Sequence, residues 1–267
     1  MQDLLRLQMP CLLKELYKLI FLIMNNTVQA IVLGTIRYGE TSLIVACYTK
    51  QFGLQSYMLK GLLSAKKKKK ISKSFFEPLT LIEFESKKNR DNKLGYLQEV
   101  NLLNAYISIP FDLGKKAVVF FLAEVIHQIV KEEQQETNPG LFNYIKKKLL
   151  WLDKNDEIGL FHLKIMLDLT WFMGFYPNIT EKDAPYFDLE AGSMSFRKPE
   201  DNYIDGALKT HWIDILGTKF ELITSLRLLK HEKAALLKHA ISYFKLHLQQ
   251  FKPPKSIEIL NELFKVS

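Results

Sequence analysis

The chain contains few cysteines, and its apolar runs are short. Among its 267 residues there are two cysteines, Cys11 and Cys47, too few for a disulfide framework or a cysteine metal cluster. Cys47 lies in an apolar strand pattern, so we expect it to be a small core residue. The apolar run at residues 19–24 is too short for a membrane span. These features indicate a globular protein of a reducing cytoplasm, with no membrane partner.

Recognisable catalytic motifs are also missing. Residues 34–41 have the glycine spacing of a phosphate-binding P-loop, but Glu40 stands where the motif needs lysine, and a carboxylate repels phosphate. The six histidines form no His-Glu-x-x-His pair, and His162 on an apolar helix is predicted to be a core residue. We therefore predict no enzymatic activity, no cofactor and no metal.

Positive charge is concentrated in one part of the chain. The net charge is +8; residues 24–105 carry 13 Lys and Arg against 6 Asp and Glu, whereas residues 106–267 carry 21 of each. Such asymmetry favours a polyanionic partner for residues 24–105 alone.

Three regions are predicted. Residues 1–23 form an N-terminal extension, and we expect translation to begin at Met24, because residues 24–26 lead directly into a strand pattern. Residues 24–105 form a nucleic-acid-binding domain. Residues 106–267 form a helical domain with an irregular loop at 178–206, which contains a short hairpin at 186–196.

Five short strands are predicted in the second region, at residues 28–36, 42–49, 54–59, 79–85 and 94–103. Residues 50–53 form a hairpin turn in which Gly53 adopts a positive φ. Five strands with a longer interruption after the third are typical of a small closed β-barrel of the OB type.

From Pro110 onward the apolar period changes to that of helices. Asp112 is the predicted N-cap of the first helix. Further helices are predicted at 139–152, 160–175, 220–229, 233–251 and 257–264, the second of these being a central buried helix. The fold class is therefore α+β, with a five-stranded OB-fold β-barrel followed by an all-α helical bundle.

Several lysines and aromatic residues of the barrel are candidates for contact with DNA. Adjacent lysines cannot be buried, and each phosphate that they neutralise releases counterions. Exposed aromatic rings stack on unpaired bases. The predicted DNA-binding residues are Arg37, Lys50, Lys60, Lys66, Lys67, Lys68, Lys69, Lys70 and Lys73, and the candidate base-stacking residues are Tyr38, Tyr57 and Phe75. Arg37 has an alternative, an ion pair with Glu40.

Several short motifs stand out along the strand-rich region. Residues 37–42 read Arg-Tyr-Gly-Glu-Thr-Ser, residues 48–54 read Tyr-Thr-Lys-Gln-Phe-Gly-Leu, and Lys60-Gly61 follows. These motifs resemble those of the RecO family of recombinational repair proteins. Residues 173–177, Met-Gly-Phe-Tyr-Pro, and residues 255–260 resemble the family's central and closing helices. The resemblance spans residues 27–264.

This resemblance implies an OB barrel followed by a helical domain. It implies binding of single- and double-stranded DNA, annealing of complementary strands, and help in loading a recombinase onto protein-coated single strands. It also implies two partners: RecR and the acidic C-terminal tail of single-stranded DNA-binding protein.

One departure from the family concerns zinc. Many members carry a four-cysteine zinc site after the segment that matches residues 174–177, but residues 178–206 contain neither cysteine nor histidine. Structural zinc needs such ligands. We therefore predict a helical domain without the zinc site, in which Tyr186, Phe187, Met194 and Phe196 hold this segment by packing.

A second interpretation is a protein-interaction adaptor with an OB docking module. The neutral helical domain then offers a groove for an amphipathic partner tail. Lys115 with Lys116, or Arg227 with Lys230 and Lys233, could flank that groove, although both clusters are typical of solvated helix faces.

Overall fold

The computed structural model describes residues 27–64, 71–86, 94–97, 99–132 and 137–266. The N-terminal extension and Lys66–Lys70 lie outside the described residues. None of the described helices is both long enough and apolar enough to cross a membrane.

In the residues that the structure describes, the first domain is built on one sheet of six strands. The strands are β1 (Thr27–Tyr38), β2 (Ser42–Thr49), β3 (Gly53–Leu59), β4 (Leu81–Glu85), β5 (Gly95–Tyr96) and β6 (Asn101–Asn104). Their order across the sheet is β5-β3-β2-β1-β4-β6. The turn between β2 and β3 ends at Gly53 with φ of 67°, which confirms the predicted hairpin. Cys47 is fully buried, as expected.

The predicted fifth strand is not continuous. Its first part, β5, pairs in parallel with β3, and its second part, β6, pairs antiparallel with β4 at the other edge of the sheet. Leu97 and Val100 lie between the two parts and are buried in the same core as the strands. A broken strand that joins both edges gives the OB topology, so the prediction of one unbroken strand at residues 94–103 is wrong, whereas the OB fold is confirmed.

Strand β1 contributes to two cores. Val28, Ala30 and Val32 point into the barrel. The alternate residues Ile31 and Leu33 pack outward against the helical domain. Successive side chains on a strand point to opposite faces. A continuous apolar run is therefore expected in a strand such as β1, which is buried on both faces.

Six α-helices make up most of the described part of the second domain. They are α1 (Leu113–Glu132), α2 (Pro139–Lys154), α3 (Phe161–Phe172), α4 (Gly206–Gly217), α5 (Lys230–His247) and α6 (Ile257–Val266). The carboxylate of Asp112 accepts a hydrogen bond of 2.8 Å from the backbone amide of Lys115, as predicted for an N-cap. Helix α3 is buried nearly all round, and His162 within it is 1% exposed, which confirms the core assignment.

Two parts of this domain differ from the sequence expectation. Helix α4 was not predicted, and the predicted helix at 220–229 is a shorter 3-10 helix, Phe220–Ser225. The predicted hairpin at 186–196 is confirmed, but a third strand joins it, so residues 178–206 contain a three-stranded sheet and are not an irregular loop. Its strands are β7 (Tyr186–Asp188), β8 (Ser193–Ser195) and β9 (Tyr203–Asp205), in the order β8-β7-β9.

The barrel is joined to the helical domain by buried polar contacts as well as by apolar packing. The hydroxyl of Tyr48 donates a hydrogen bond of 3.1 Å to the carbonyl of Asn138, and the hydroxyl of Tyr106 donates one of 2.7 Å to the carbonyl of Leu79. The Asp153 carboxylate accepts hydrogen bonds from three consecutive backbone amides, at 2.9 Å from Ile107, 2.9 Å from Ser108 and 3.0 Å from Ile109. These bonds fix the connection between the domains.

Candidate nucleic-acid interface

Strand register brings three of the predicted DNA-binding and stacking residues to one end of the barrel. Arg37 pairs with Leu43, and Leu43 pairs with Leu59, the residue before Lys60. Tyr38 pairs with Ser42 at the start of β2. Arg37, Tyr38 and Lys60 are all exposed. The β1–β2 turn and the end of β3 therefore present two cations and an aromatic ring together.

Arg37 is available to a ligand at this end. Among the ion pairs that join described residues, none includes Arg37 or Glu40. The alternative that Arg37 forms an ion pair with Glu40 is therefore not supported. The segment that resembles a P-loop is the β1–β2 turn, in which Gly39 has φ of 60°, and it leads into a strand.

Lys50 is not part of this cluster. It lies in the β2–β3 turn, where its backbone amide bonds to the carbonyl of Gln29 at 2.9 Å. Leu43 and Thr49 are six positions apart along β2, which places Lys50 about 20 Å from the end that carries Lys60. Lys50 and Lys60 are close along the chain but lie at opposite ends of the β2–β3 hairpin.

The other predicted cations lie in the connection between β3 and β4. Lys73 is exposed and begins the short 3-10 helix Lys73–Phe76. This connection leaves the sheet at the Lys60 end, where the amide of Leu63 bonds to the carbonyl of Thr41 at 2.8 Å. Lys66–Lys70 belong to the same connection and fall outside the described residues.

The predicted stacking residues have different environments. Tyr38 is 56% exposed. Tyr57 is fully buried, and its ring packs edge-on against Phe84 at 4.9 Å between centroids. Phe75 is partly buried against the barrel core. The stacking prediction for Tyr57 is therefore wrong, because both faces of its ring are enclosed.

An exposed tyrosine that sequence reasoning missed lies beside Lys60. Tyr96 on β5 is 56% exposed, and the Nζ of Lys60 lies 4.6 Å from the centroid of its ring. This distance is within the range of a cation–π interaction. In an OB barrel the fifth strand pairs with the third. This pairing could have placed Tyr96 next to the end of β3, where Lys60 lies.

The three-stranded sheet at residues 186–205 lies in the segment for which the sequence predicts packing in place of a zinc site. Phe187 and Met194 are buried, as predicted, whereas Phe196 is 65% exposed and the prediction for it is wrong. Two residues of α5 hold the segment: the ring nitrogen Nε2 of His247 lies 2.9 Å from the carbonyl of Leu189, and Tyr243 contacts Phe187. Packing and hydrogen bonds therefore connect the sheet to the helices.

The chain matches two models of one protein family. Residues 24–106 match "Recombination protein O N terminal", and residues 110–257 match "Recombination protein O C terminal". Curated relatives named "DNA repair protein RecO" include those of Flavobacterium psychrophilum (35% identical, covering 90% of this chain and 100% of the relative) and Christiangramia forsetii (35%, covering 88% and 98%). The relative from Bacteroides fragilis is 32% identical and covers 88% and 97%. The chain therefore belongs to the RecO family of DNA repair proteins.

Proposed function

We propose that this protein is a recombination mediator that binds single- and double-stranded DNA, anneals complementary single strands and helps to load a recombinase onto protein-coated single strands. The observation that carries the proposal is the exposed pair Arg37 and Lys60 at one barrel end, within the domain that holds nearly all the surplus charge. Lys66–Lys70 follow Lys60 in the chain and add further cations.

The proposed mechanism is electrostatic. Two DNA strands repel each other through their phosphates, and a cationic surface that contacts both lowers this repulsion while base edges stay free to pair. No bond is made or broken, so the protein is proposed not to be an enzyme. We further infer RecR as a partner and a cytoplasmic location beside the nucleoid, as expected for a DNA-bound member of this family.

An annealing assay tests this function. Two complementary oligonucleotides, each labelled with one fluorophore of a transfer pair, are mixed with and without the protein. We expect faster pairing with the protein, and slower pairing as salt rises. Equal rates with and without the protein at low salt would refute annealing.

A groove between α5 and α6 supports a second function, binding of the acidic tail of single-stranded DNA-binding protein. The groove has a volume of about 380 Å³ and an apolar floor that includes Leu237 and Ile241. Lys238 and Lys245 line it two helical turns apart, and both are exposed. Apolar surface between two cations is complementary to a peptide that carries apolar and acidic residues.

The flanking lysines differ from those considered from sequence. Lys115 is 1% exposed and donates a hydrogen bond of 2.6 Å to the hydroxyl of Ser108. Arg227 is paired with Glu157 at 3.2 Å. Titration of a labelled acidic tail peptide tests the groove: Lys238→Ala with Lys245→Ala should weaken binding, while Lys219→Ala, at an exposed position outside the groove, should not. Equal affinity in all three proteins would exclude this groove.

A further inference from the structure

The outer face of the barrel carries an apolar row that crosses four strands. Ile36 pairs with Ile44, Ile44 with Met58, and Met58 with Tyr96. Residues directly opposite each other on neighbouring strands point to the same face. Strands lie about 4.8 Å apart, so the row extends about 14 Å from Ile36 to Tyr96.

This row faces outward, not into the barrel. The neighbouring residues Leu43, Val45, Tyr57 and Leu59 fill the barrel core, and side chains alternate along each strand. Ile36 is 70% exposed and Tyr96 is 56% exposed, whereas Ile44 between them is half-buried and Met58 is 8% exposed. Farther along the same outer face, Ala46 and Leu54 pack against the helical domain. The helices therefore cover one half of this face, and in the open half the exposed side chains of the row are those at its two ends, Ile36 and Tyr96.

The open half is bordered by cations. Lys60 follows Met58 by two residues and so lies on the same face, with its ammonium over the Tyr96 ring. Arg37 follows Ile36 at the barrel end. Exposed apolar side chains next to positive charge fit a ligand that combines flat apolar faces with negative charge, which describes unpaired nucleotides better than an uncharged protein surface.

We propose that the exposed ends of this row, Ile36 and Tyr96, form a platform for the bases of single-stranded DNA, supported from below by Ile44 and Met58, with Tyr96 as the stacking residue and Lys60 contacting the adjacent phosphate. This assignment rests on the proposed DNA-binding function and deepens it, because it makes the barrel face selective for single strands. In duplex DNA the faces of the bases are already stacked on each other, so the platform gains nothing from a duplex.

The test compares the full-length wild-type protein with the variants Tyr96→Ala, Tyr96→Phe and Ile36→Ser. Anisotropy gives the affinity of each for an oligothymidine and for a hairpin duplex of equal phosphate number. Loss of one stacked base should weaken single-strand binding of Tyr96→Ala roughly 5- to 150-fold. Tyr96→Phe keeps the ring and should bind as the wild type does, and Ile36→Ser should show a smaller single-strand loss. Duplex affinity should be unchanged in all three variants.

The outcomes separate the two levels of the proposal. If the wild type binds neither DNA, the proposed function itself fails. If Tyr96→Ala binds single strands as tightly as the wild type, or loses single-strand and duplex affinity equally, the base platform is overturned. If Tyr96→Ala binds single strands as tightly as the wild type, sedimentation of the wild type and of Tyr96→Ala shows whether the row is instead a self-association surface. Thermal unfolding by circular dichroism checks that the variants are folded, as expected for substitutions at exposed side chains.

Discussion

The ammonium of Lys60 lies 4.6 Å from the centre of the Tyr96 ring and joins the end of β3 to the first part of the broken fifth strand. This contact places a cation and an exposed aromatic ring side by side at the barrel end that also carries Arg37. In one nucleotide the phosphate binds a cation and the base stacks on an aromatic ring, so one nucleotide can contact both side chains. The contact is therefore the structural basis for our proposal that single-stranded DNA binds at this end.

The first prediction concerns the lysine run. Replacing Lys66–Lys70 with serine should weaken DNA binding and flatten its salt dependence. The slope of log affinity against log salt should fall by up to roughly 3.5 for single strands, because each lost phosphate contact removes about 0.7. Replacing Lys146 and Lys147 on α2 is a control for general loss of charge, and we expect a smaller change. Unchanged affinity and slope in the serine variant would remove the run from the mechanism.

The second prediction concerns acid sensitivity at Asp153. Burial raises the pKa of this carboxyl, but hydrogen bonds from the amides of Ile109, Ile107 and Ser108 outweigh it, so its pKa lies below the usual value. A depressed pKa contributes stability above the unfolded-state pKa of about 3.9, and that stability is lost as pH falls through the folded-state pKa. Asp153→Asn should be less stable than the wild type at neutral pH.

Urea unfolding across a pH series measures this effect. The difference between the wild type and Asp153→Asn should be constant above about pH 5 and should shrink as the solution becomes more acidic. A difference that stays constant down to the most acidic sample would show that the charge of Asp153 does not contribute to the free energy of unfolding.

Gly192 provides a test of how the small sheet is held. It has φ of 66°, and a Cβ there would lie 2.8 Å from the hydroxyl of Tyr243, which donates a hydrogen bond of 2.7 Å to the carbonyl of Phe175. Gly192→Ala should lose about 1–2 kcal/mol from backbone strain and more from the displaced tyrosine. Gly174 has φ of 78° with open space around it, so Gly174→Ala should show the strain alone. Equal unfolding free energies of the two variants would mean that the Tyr243 contact is unimportant.

Much of the barrel was predictable because its strand signals are local. Strand β2 was predicted at the residues where it occurs, since its β-branched residues and the flanking turns define it. The break between Gly95–Tyr96 and Asn101–Asn104 depends on pairing with β3 and β4, which are distant in sequence. Helix α4 lies between Gly206 and Gly217, and its apolar spacing at Trp212, Ile215 and Leu216 was a signal that the prediction overlooked.

The candidate site was less predictable because it depends on the face to which each side chain points. Tyr57 and Tyr96 both lie in strands, yet one fills the barrel and the other is exposed. The register with neighbouring strands decides the face of the sheet to which each side chain points, and a one-residue shift in register would reverse that face. Lys50 and Lys60 are close in sequence but lie at opposite ends of a hairpin, so closeness along the chain misled the assignment.

The fourth prediction is that the purified protein contains far less than one zinc per chain. Residues 178–206 lack cysteine and histidine, and Tyr243 and His247 contact this segment instead. Elemental analysis by mass spectrometry, before and after dialysis against a chelator, checks the content. Stoichiometric zinc that survives dialysis would contradict the prediction, as would a chelator-dependent fall in melting temperature.

The most direct test of the account is the salt dependence of single-stranded DNA binding by three proteins: wild type, Arg37→Ala with Lys60→Ala, and Lys50→Ala. Loss of two phosphate contacts should lower the log–log salt slope of the double variant by roughly 1.4. Lys50→Ala, about 20 Å away along the strands, should keep the wild-type slope and affinity. A double variant with the wild-type slope, or a Lys50 variant that loses as much, would contradict the claim that this barrel end binds DNA.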